Sequence, residues 1–372
     1  MSDRHFITRP LSICLDLVRA MAAVAVLLGH AVQHGIYTGH WPFSQMFQHD
    51  AVIVFFVLSG MVIASSVDRP GANMRAYLIA RAARILPVTL PAILFGTAAY
   101  ILCQALGIQV ENPEFNSVLT FRGTVMPALF LSESVFGTGP VWNAPYWSLC
   151  YEVWYYLLFG AATFLRGSRR QIVLLVMTLL AGPKILLLLP VWMIGVWLAR
   201  RGSTVRPSVL SGLMLIVLCV AAFSLMNEGI WATTQRFFAR TPFAGMNLDH
   251  AKFAFNDLLL GIAVAAGFIG LRPVAGAIAS LLERTARPIS VLAGSSFTLY
   301  LFHWPLLSLL RGFGLTAGSS MAGFAGLMTG IIALSVWIAR YTEQRRETVR
   351  GWLEQWTIRS QNKLINNHTS PA

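Results

Sequence analysis

Residues 15–32 read LDLVRAMAAVAVLLGHAV, an apolar run broken only by Asp16, Arg19 and His30. An arginine placed in hydrocarbon costs about 2.5 kcal/mol or more on insertion scales, so a span that carries one has a use for it. Arg19 and His30 are separated by ten residues. Eleven steps of ~100° end about 20° from their start, so the two side chains fall on one helix face, roughly 16 Å apart along the axis. Asp16 lies on that face three residues before Arg19, within pairing reach. One stripe thus carries an acid, a base and a titratable imidazole through the span. The plainer alternative is an Asp16–Arg19 packing pair with an interfacial histidine.

The rest of the chain agrees with a membrane reading. Of 372 residues, 56% are hydrophobic and 12% charged, against about 25% charged in soluble domains. The mean hydropathy is +0.63. The expected fold is all-α, a polytopic membrane bundle of about 10 transmembrane helices forming one unit. The formal charge of +13 does not indicate a nucleic-acid partner, because the bases are scattered through short loops between apolar runs. The first apolar run is too long for the core of a cleavable signal peptide. Cys14, Cys103, Cys150 and Cys219 form no CxxC pair. They read as small packing residues, with neither a metal site nor a disulfide framework expected.

Ten candidate spans fall at 12–33, 49–66, 84–107, 145–166, 171–182, 184–200, 207–226, 255–271, 290–312 and 319–341. The fifth is too short to cross alone and meets the sixth at Gly182-Pro183, as a broken or tilted element would. With the N-terminus inside, 21 of the 28 Lys and Arg residues, from Arg4 to Lys363, lie in cytoplasmic segments; six lie outside and Arg19 lies within a span. That bias sets both termini in the cytoplasm. Two outer segments are long, 108–144 and 227–254, and read as binding surfaces or lids. The first holds Glu111, Glu114, Glu133 and an apolar patch at 126–131 expected to dip into the interface. Residues 1–341 form the expected membrane domain. Residues 342–372, with Trp352 and Trp356 among alternating charges, read as an amphipathic tail on the inner leaflet.

Further constellations carry chemistry. Arg81 and Arg84 share a helix face at the inner mouth of the third span, where two guanidinium groups suit one phosphate-bearing ligand. Alternatively they are ordinary juxtamembrane anchors. Glu152, in WSLCYE at 147–152, falls in the outer half of the fourth span. It is expected to orient His30 and stabilise its charged form, or else to bond a tyrosine or arginine structurally. Trp147, Tyr156, Ser59 and His303 are candidate substrate contacts. Ser59 belongs to FFVLSG at 55–60, whose small residues also suit close helix packing. His303, in YLFHWP at 300–305, reads equally well as a hydrogen-bonded core residue. Pro305 frees a carbonyl nearby.

R-x10-H, FFVLSG, RxxR, WSLxxE-xxx-Y and YLFHWP in this order resemble the acyltransferase 3 family of integral membrane acyltransferases, over roughly 12–341. The resemblance implies transfer of an acyl group, acetyl first, from cytoplasmic acyl-CoA (acetyl-CoA) to an extracytoplasmic or lipid-linked carbohydrate hydroxyl, such as one on exopolysaccharide or lipopolysaccharide. It implies a bacterial cytoplasmic (inner) membrane protein of the type without a fused esterase-like domain. In that family the R-x10-H pair, here Arg19 and His30, is essential. RxxR maps onto Arg81 and Arg84, and the membrane glutamate onto Glu152. After the tenth span, Gln344-Arg345-Arg346 departs from the proline many relatives have. The mechanism expected is cofactor binding at Arg81, Arg84 and Arg19, with His30, Glu152 and Arg19 catalytic. Direct attack and an acyl-histidine intermediate both stay open, as does association into homo-oligomers. The rival reading is a transporter or flippase of lipid-linked sugars using Arg, His and Glu as a proton relay. The missing internal repeat weighs against it.

Overall fold

The computed structural model describes residues 6–44, 46–108, 119–135, 137–225, 228–241 and 248–369. Arg4, Glu111 and Glu114 lie outside them. The described residues form thirteen α-helices: α1 (Arg9–Gln33), α2 (Phe47–Val67), α3 (Met74–Ala105), α4 (Phe121–Ala128), α5 (Tyr146–Phe164), α6 (Gly167–Arg201), α7 (Val209–Leu225), α8 (Glu228–Phe238), α9 (Ala254–Ala277), α10 (Ala279–Ala293), α11 (Ser296–Gly312), α12 (Met321–Ala339) and α13 (Arg346–Thr369). Among them the only β contact is one isolated bridge, Tyr37 to Gly318, which ties the far end of α1 to the α11–α12 turn. An all-helical solution is what hydrocarbon demands, since every backbone polar group must be satisfied within its own segment.

Six segments are long and apolar enough to cross a bilayer: α1, α2, α3, α6, α9 with its preceding turn, and the run that begins with α12. The chain is therefore a multi-pass membrane protein. The other expected spans lie on helices that miss that test for different reasons. α7 and α11 have 17 residues each. α5 is rich in tyrosine and tryptophan. The fifth and sixth expected spans are the two halves of α6, which meet at Gly182 with φ +77°, a conformation open to glycine and strained for other residues. Of the ten expected spans, seven fall on the six segments that pass that test, the fifth and sixth sharing α6. One boundary is corrected. The ninth expected span, 290–312, runs across two helices that break at Gly294-Ser295, and only α11 belongs to the interior. α10 is amphipathic and rests on α1, with Leu282 and Ile289 turned inward. Glu283 of α10 takes a two-pronged bond from Arg9, at 2.5 and 2.9 Å.

Initiation follows local chemistry. The side chains of Thr8, Asn73, Thr120 and Ser320 accept backbone N–H groups at the starts of α1, α3, α4 and α12, as cap residues do. α2 and α6 pack closest. A Cβ on Gly60 would stand 2.0 Å from the Trp192 carbonyl oxygen, and one on Gly195 would stand 2.0 Å from that of Val57. Without a hydrophobic drive between helices in lipid, such close approach supplies the packing energy. α13 continues the fold as a helix and docks on α3, where Arg75 donates to Thr357 at 2.6 Å. Trp352 and Trp356 stay more than half exposed.

Candidate active site

A cavity bordered by α1, α2, α3, α5 and α11 spans about 770 Å³ of empty space, open solvent included, of which about 70 Å³ admits the centre of a water molecule. Arg19, Arg81 and Arg84 all line it, with Ser59, Ser148, Glu152, Tyr156 and Tyr300. The spacing read from the sequence therefore brings three guanidinium groups from two helices onto one space. Arg19 is paired with Asp16 at 3.1 Å, as the three-residue spacing suggested. The Arg81 guanidinium lies 5.9 Å over both the Tyr77 and Tyr156 rings, and its Nε has no hydrogen-bond partner among the described residues.

A hydrogen-bonded chain forms one wall. The Trp192 indole N–H donates to Ser59 Oγ at 3.1 Å, Ser59 meets the Tyr156 hydroxyl at 3.2 Å, and Tyr156 donates to Glu152. Because the Tyr156 hydrogen is committed to the carboxylate, Ser59 must donate to Tyr156, so the chain runs in one direction from indole to carboxylate. Within FFVLSG, Gly60 lets α2 meet α6 and Ser59 lines the cavity.

The expected Glu152–His30 bond does not form. Glu152 is bonded to Tyr156, one helical turn along α5, and sits among the arginines. The expectation placed Glu152 near the outer end of its span because α5 follows an outer segment. That segment does not stay outside the bundle. Residues 126–131 lie along α5, where Tyr146 donates to the Pro127 carbonyl at 2.6 Å and Trp154 Nε1 to that of Phe130 at 3.0 Å. Glu152 therefore shares the cavity of Arg19, not the surroundings of His30.

His30 does not line that cavity; it lies in a cluster of rings on the far side of Tyr300. The Tyr300 ring lines the cavity on one side and stands 5.9 Å from the His303 ring on the other. His303 stacks on His30 at 5.3 Å and 20°. His30 and His34 both meet Trp304 edge-on, at 4.8 and 4.5 Å. His30 is thus held among aromatic rings and does not face lipid alone. Tyr300 is fixed by donating to the Pro145 carbonyl at 2.9 Å and by Ser148 at 2.5 Å. The carbonyl freed by Pro305, that of Leu301, is taken by Asn143 Nδ2 at 3.0 Å.

Trp147 lies outside both the cavity and this cluster. It stacks on His250 at 4.3 Å and on His49 at 5.5 Å, beside a buried His49–Asp257 pair at 3.0 Å that joins α2 to α9. Sequence reading missed this pair, since its members are 208 residues apart. It also missed Gln33, whose carboxamide oxygen lies 2.7 Å from His30 Nδ1, and Tyr300 as the partition. Gln33 was legible in principle, as the polar residue three places after His30. Glu343, at the departure after the last span, accepts from Thr298 N at 3.1 Å and fastens the following turn to α11.

A family model for the acyltransferase domain of the acyltransferase 3 family matches residues 12–340. The chain belongs to that family and is a membrane acyltransferase. No curated protein and no solved structure gives a match.

Proposed function

We propose that this protein moves an acyl group, acetyl first, from acyl-CoA on the cytoplasmic side to a hydroxyl of an extracytoplasmic or lipid-linked carbohydrate, in a bacterial inner membrane. In this reading ten spans cross the bilayer with both termini in the cytoplasm, and α13 rests on the inner leaflet. The observation that carries it is the meeting of Arg19, Arg81 and Arg84 on one cavity, with His30 behind a single tyrosine. Guanidinium groups suit the phosphates of a coenzyme ester. The imidazole suits removal of a hydroxyl proton near neutral pH.

The step balances simply. The acceptor oxygen bonds to the acyl carbon as its proton passes to His30 Nε2. The carbon–sulfur bond breaks, and the departing thiolate takes that proton back from the imidazolium. Tyr300 stands between the cavity and the imidazole cluster, so the thioester reaches His30 when the Tyr300 ring turns aside. Glu152, through Tyr156 and Ser59, keeps the arginine cavity ordered.

The test is transfer from radiolabelled acetyl-CoA by purified protein in nanodiscs, supplied with carbohydrate extracted from its own host. Base-labile label should appear in the carbohydrate. His30→Ala, folded as judged by its melting curve, should lower the rate by about 10² to 10⁴, the usual worth of a general base. Wild-type rates from that variant would sink the proposal.

A further inference from the structure

The two stacked imidazoles are held by different atoms yet in the same tautomer. His303 Nδ1 lies 3.1 Å from the Leu299 carbonyl oxygen. A carbonyl oxygen only accepts, so Nδ1 carries the hydrogen and Nε2 is left with a bare lone pair. That Nε2 is buried with no hydrogen-bond partner among the described residues. His30 Nδ1 faces the Gln33 carboxamide oxygen at 2.7 Å, which again assigns the hydrogen to Nδ1. Gln33 is the last residue of α1, and its side chain reaches back one turn along the same face.

We propose that Gln33 is the positioning residue of His30: its carboxamide oxygen holds the Nδ1–H and so presents Nε2 to the acceptor hydroxyl. This rests on the acyl-transfer reading above and gives Gln33 the part that the sequence suggested for Glu152. The difference in charge has a chemical sense. A carboxylate beside an imidazole holds the imidazolium firmly, whereas a neutral amide fixes the ring without doing so. His30 and His34 both meet the Trp304 ring edge-on, and a neutral amide leaves His30 free to return its proton to the leaving thiolate. His303 restricts the ring from its other face: stacked within 20° of parallel, it leaves His30 little freedom to flip about its Cβ–Cγ bond. Gln33 and His303 together define which nitrogen points where, Gln33 by a hydrogen bond and His303 by stacking.

The experiment compares wild type, Gln33→Met and Gln33→Glu in nanodiscs. Two quantities are read: kcat and KM for acetyl-CoA, and the ¹⁵N NMR signature of the His30 tautomer, assigned by its loss in His30→Asn. Methionine fills the same space but accepts no comparable hydrogen bond. Gln33→Met should lower kcat at least about tenfold, leave KM within about twofold, and mix the His30 tautomers. Gln33→Glu restores an acceptor oxygen and should recover the Nδ1–H tautomer and more of the rate than Gln33→Met. A purely structural glutamine would instead change the melting temperature without splitting kcat from KM. An unchanged kcat and tautomer in a folded Gln33→Met protein would overturn the assignment. If the wild type transfers nothing, the proposed reaction falls, while the tautomer comparison still decides the role of Gln33.

Discussion

The arginine cavity and the imidazole cluster are neighbours across Tyr300 but are built by different means. The cavity is assembled from long-range parts: Arg19 from α1, Ser59 from α2, Arg81 and Arg84 from α3, Glu152 and Tyr156 from α5, with Trp192 of α6 behind Ser59. Its shape depends on how closely those helices meet. In the cluster, the hydrogen bonds that orient the imidazoles stay within single helices: Gln33 to His30 over three residues, and Leu299 to His303 over four. Between α1 and α11 the rings stack, and Leu27 and Ala31 pack with Leu299 and Leu307. The difference teaches where each part is vulnerable. A packing fault should spoil donor binding long before it disturbs the tautomer of His30, and an altered cluster should slow chemistry without weakening donor binding.

The largest test of that contrast is Arg81→Ala with Arg84→Ala. Two charge-assisted contacts at about 1.5–3 kcal/mol each predict a rise in KM for acetyl-CoA of at least about a hundredfold, with kcat much less affected. Unchanged affinity by isothermal titration would return both residues to the role of topology anchors. Next comes Gly60→Ala. Its added methyl meets the Trp192 carbonyl oxygen, so α2 must part from α6, which we expect to cost about 3 kcal/mol of stability. A melting curve in detergent checks this, and an unaltered melting temperature would show that the close approach does not hold the cavity. Tyr156→Phe follows. It removes the donor to Glu152 and breaks the Ser59 chain, for about 2 kcal/mol. Donor KM should rise roughly tenfold while the His30 tautomer signal stays put; a moved tautomer would mean that cavity and cluster are one unit.

The smallest effect is a control lying outside both regions and outside the spans. Burial lifts the Glu133 carboxyl to about 7, opposed by the nearby Lys184. A carboxyl whose folded value lies above its unfolded one stabilises the fold fully below about pH 4.5, and that benefit is lost as pH rises through about 7. Glu133→Gln should therefore be neutral near pH 4.5 and stabilising by about 1–2 kcal/mol at pH 8, discounted for its partial contact with solvent. Thermal melts at the two pH values read the difference, and equal shifts at both would remove the carboxyl as their source.

How much was legible differs by residue. The Asp16–Arg19 pair and the convergence of Arg81 with Arg84 were visible because helical spacing alone settles which residues share a face. The break at Gly182 showed as a Gly-Pro pair. The separation of α10 from α11 did not show, because an amphipathic helix followed directly by an apolar one reads as a single hydrophobic rise. The partner of Glu152 was misjudged because its depth was counted along the chain from the nearest loop, whereas residues 127 and 130 of that segment are bonded to α5 itself. Trp147 was grouped with Glu152 by proximity in sequence. It points to His49 and His250, as neighbours on one helix do when five residues carry them to different faces.

By itself the sequence determined that this chain is a helical membrane protein of the acyltransferase 3 type, and that one stripe of its first helix bears Arg19 and His30. Periodicity, hydropathy and motif order are local properties and survive any arrangement of neighbours. Only the tertiary structure decided that Arg19 lines a cavity that His30 does not, that Tyr300 lies between that cavity and His303, and that Glu152 sits with the arginines while Gln33 lies against the imidazole. The depth and facing of one helix against another follow from close packing across hundreds of residues, which spacing along the chain does not encode.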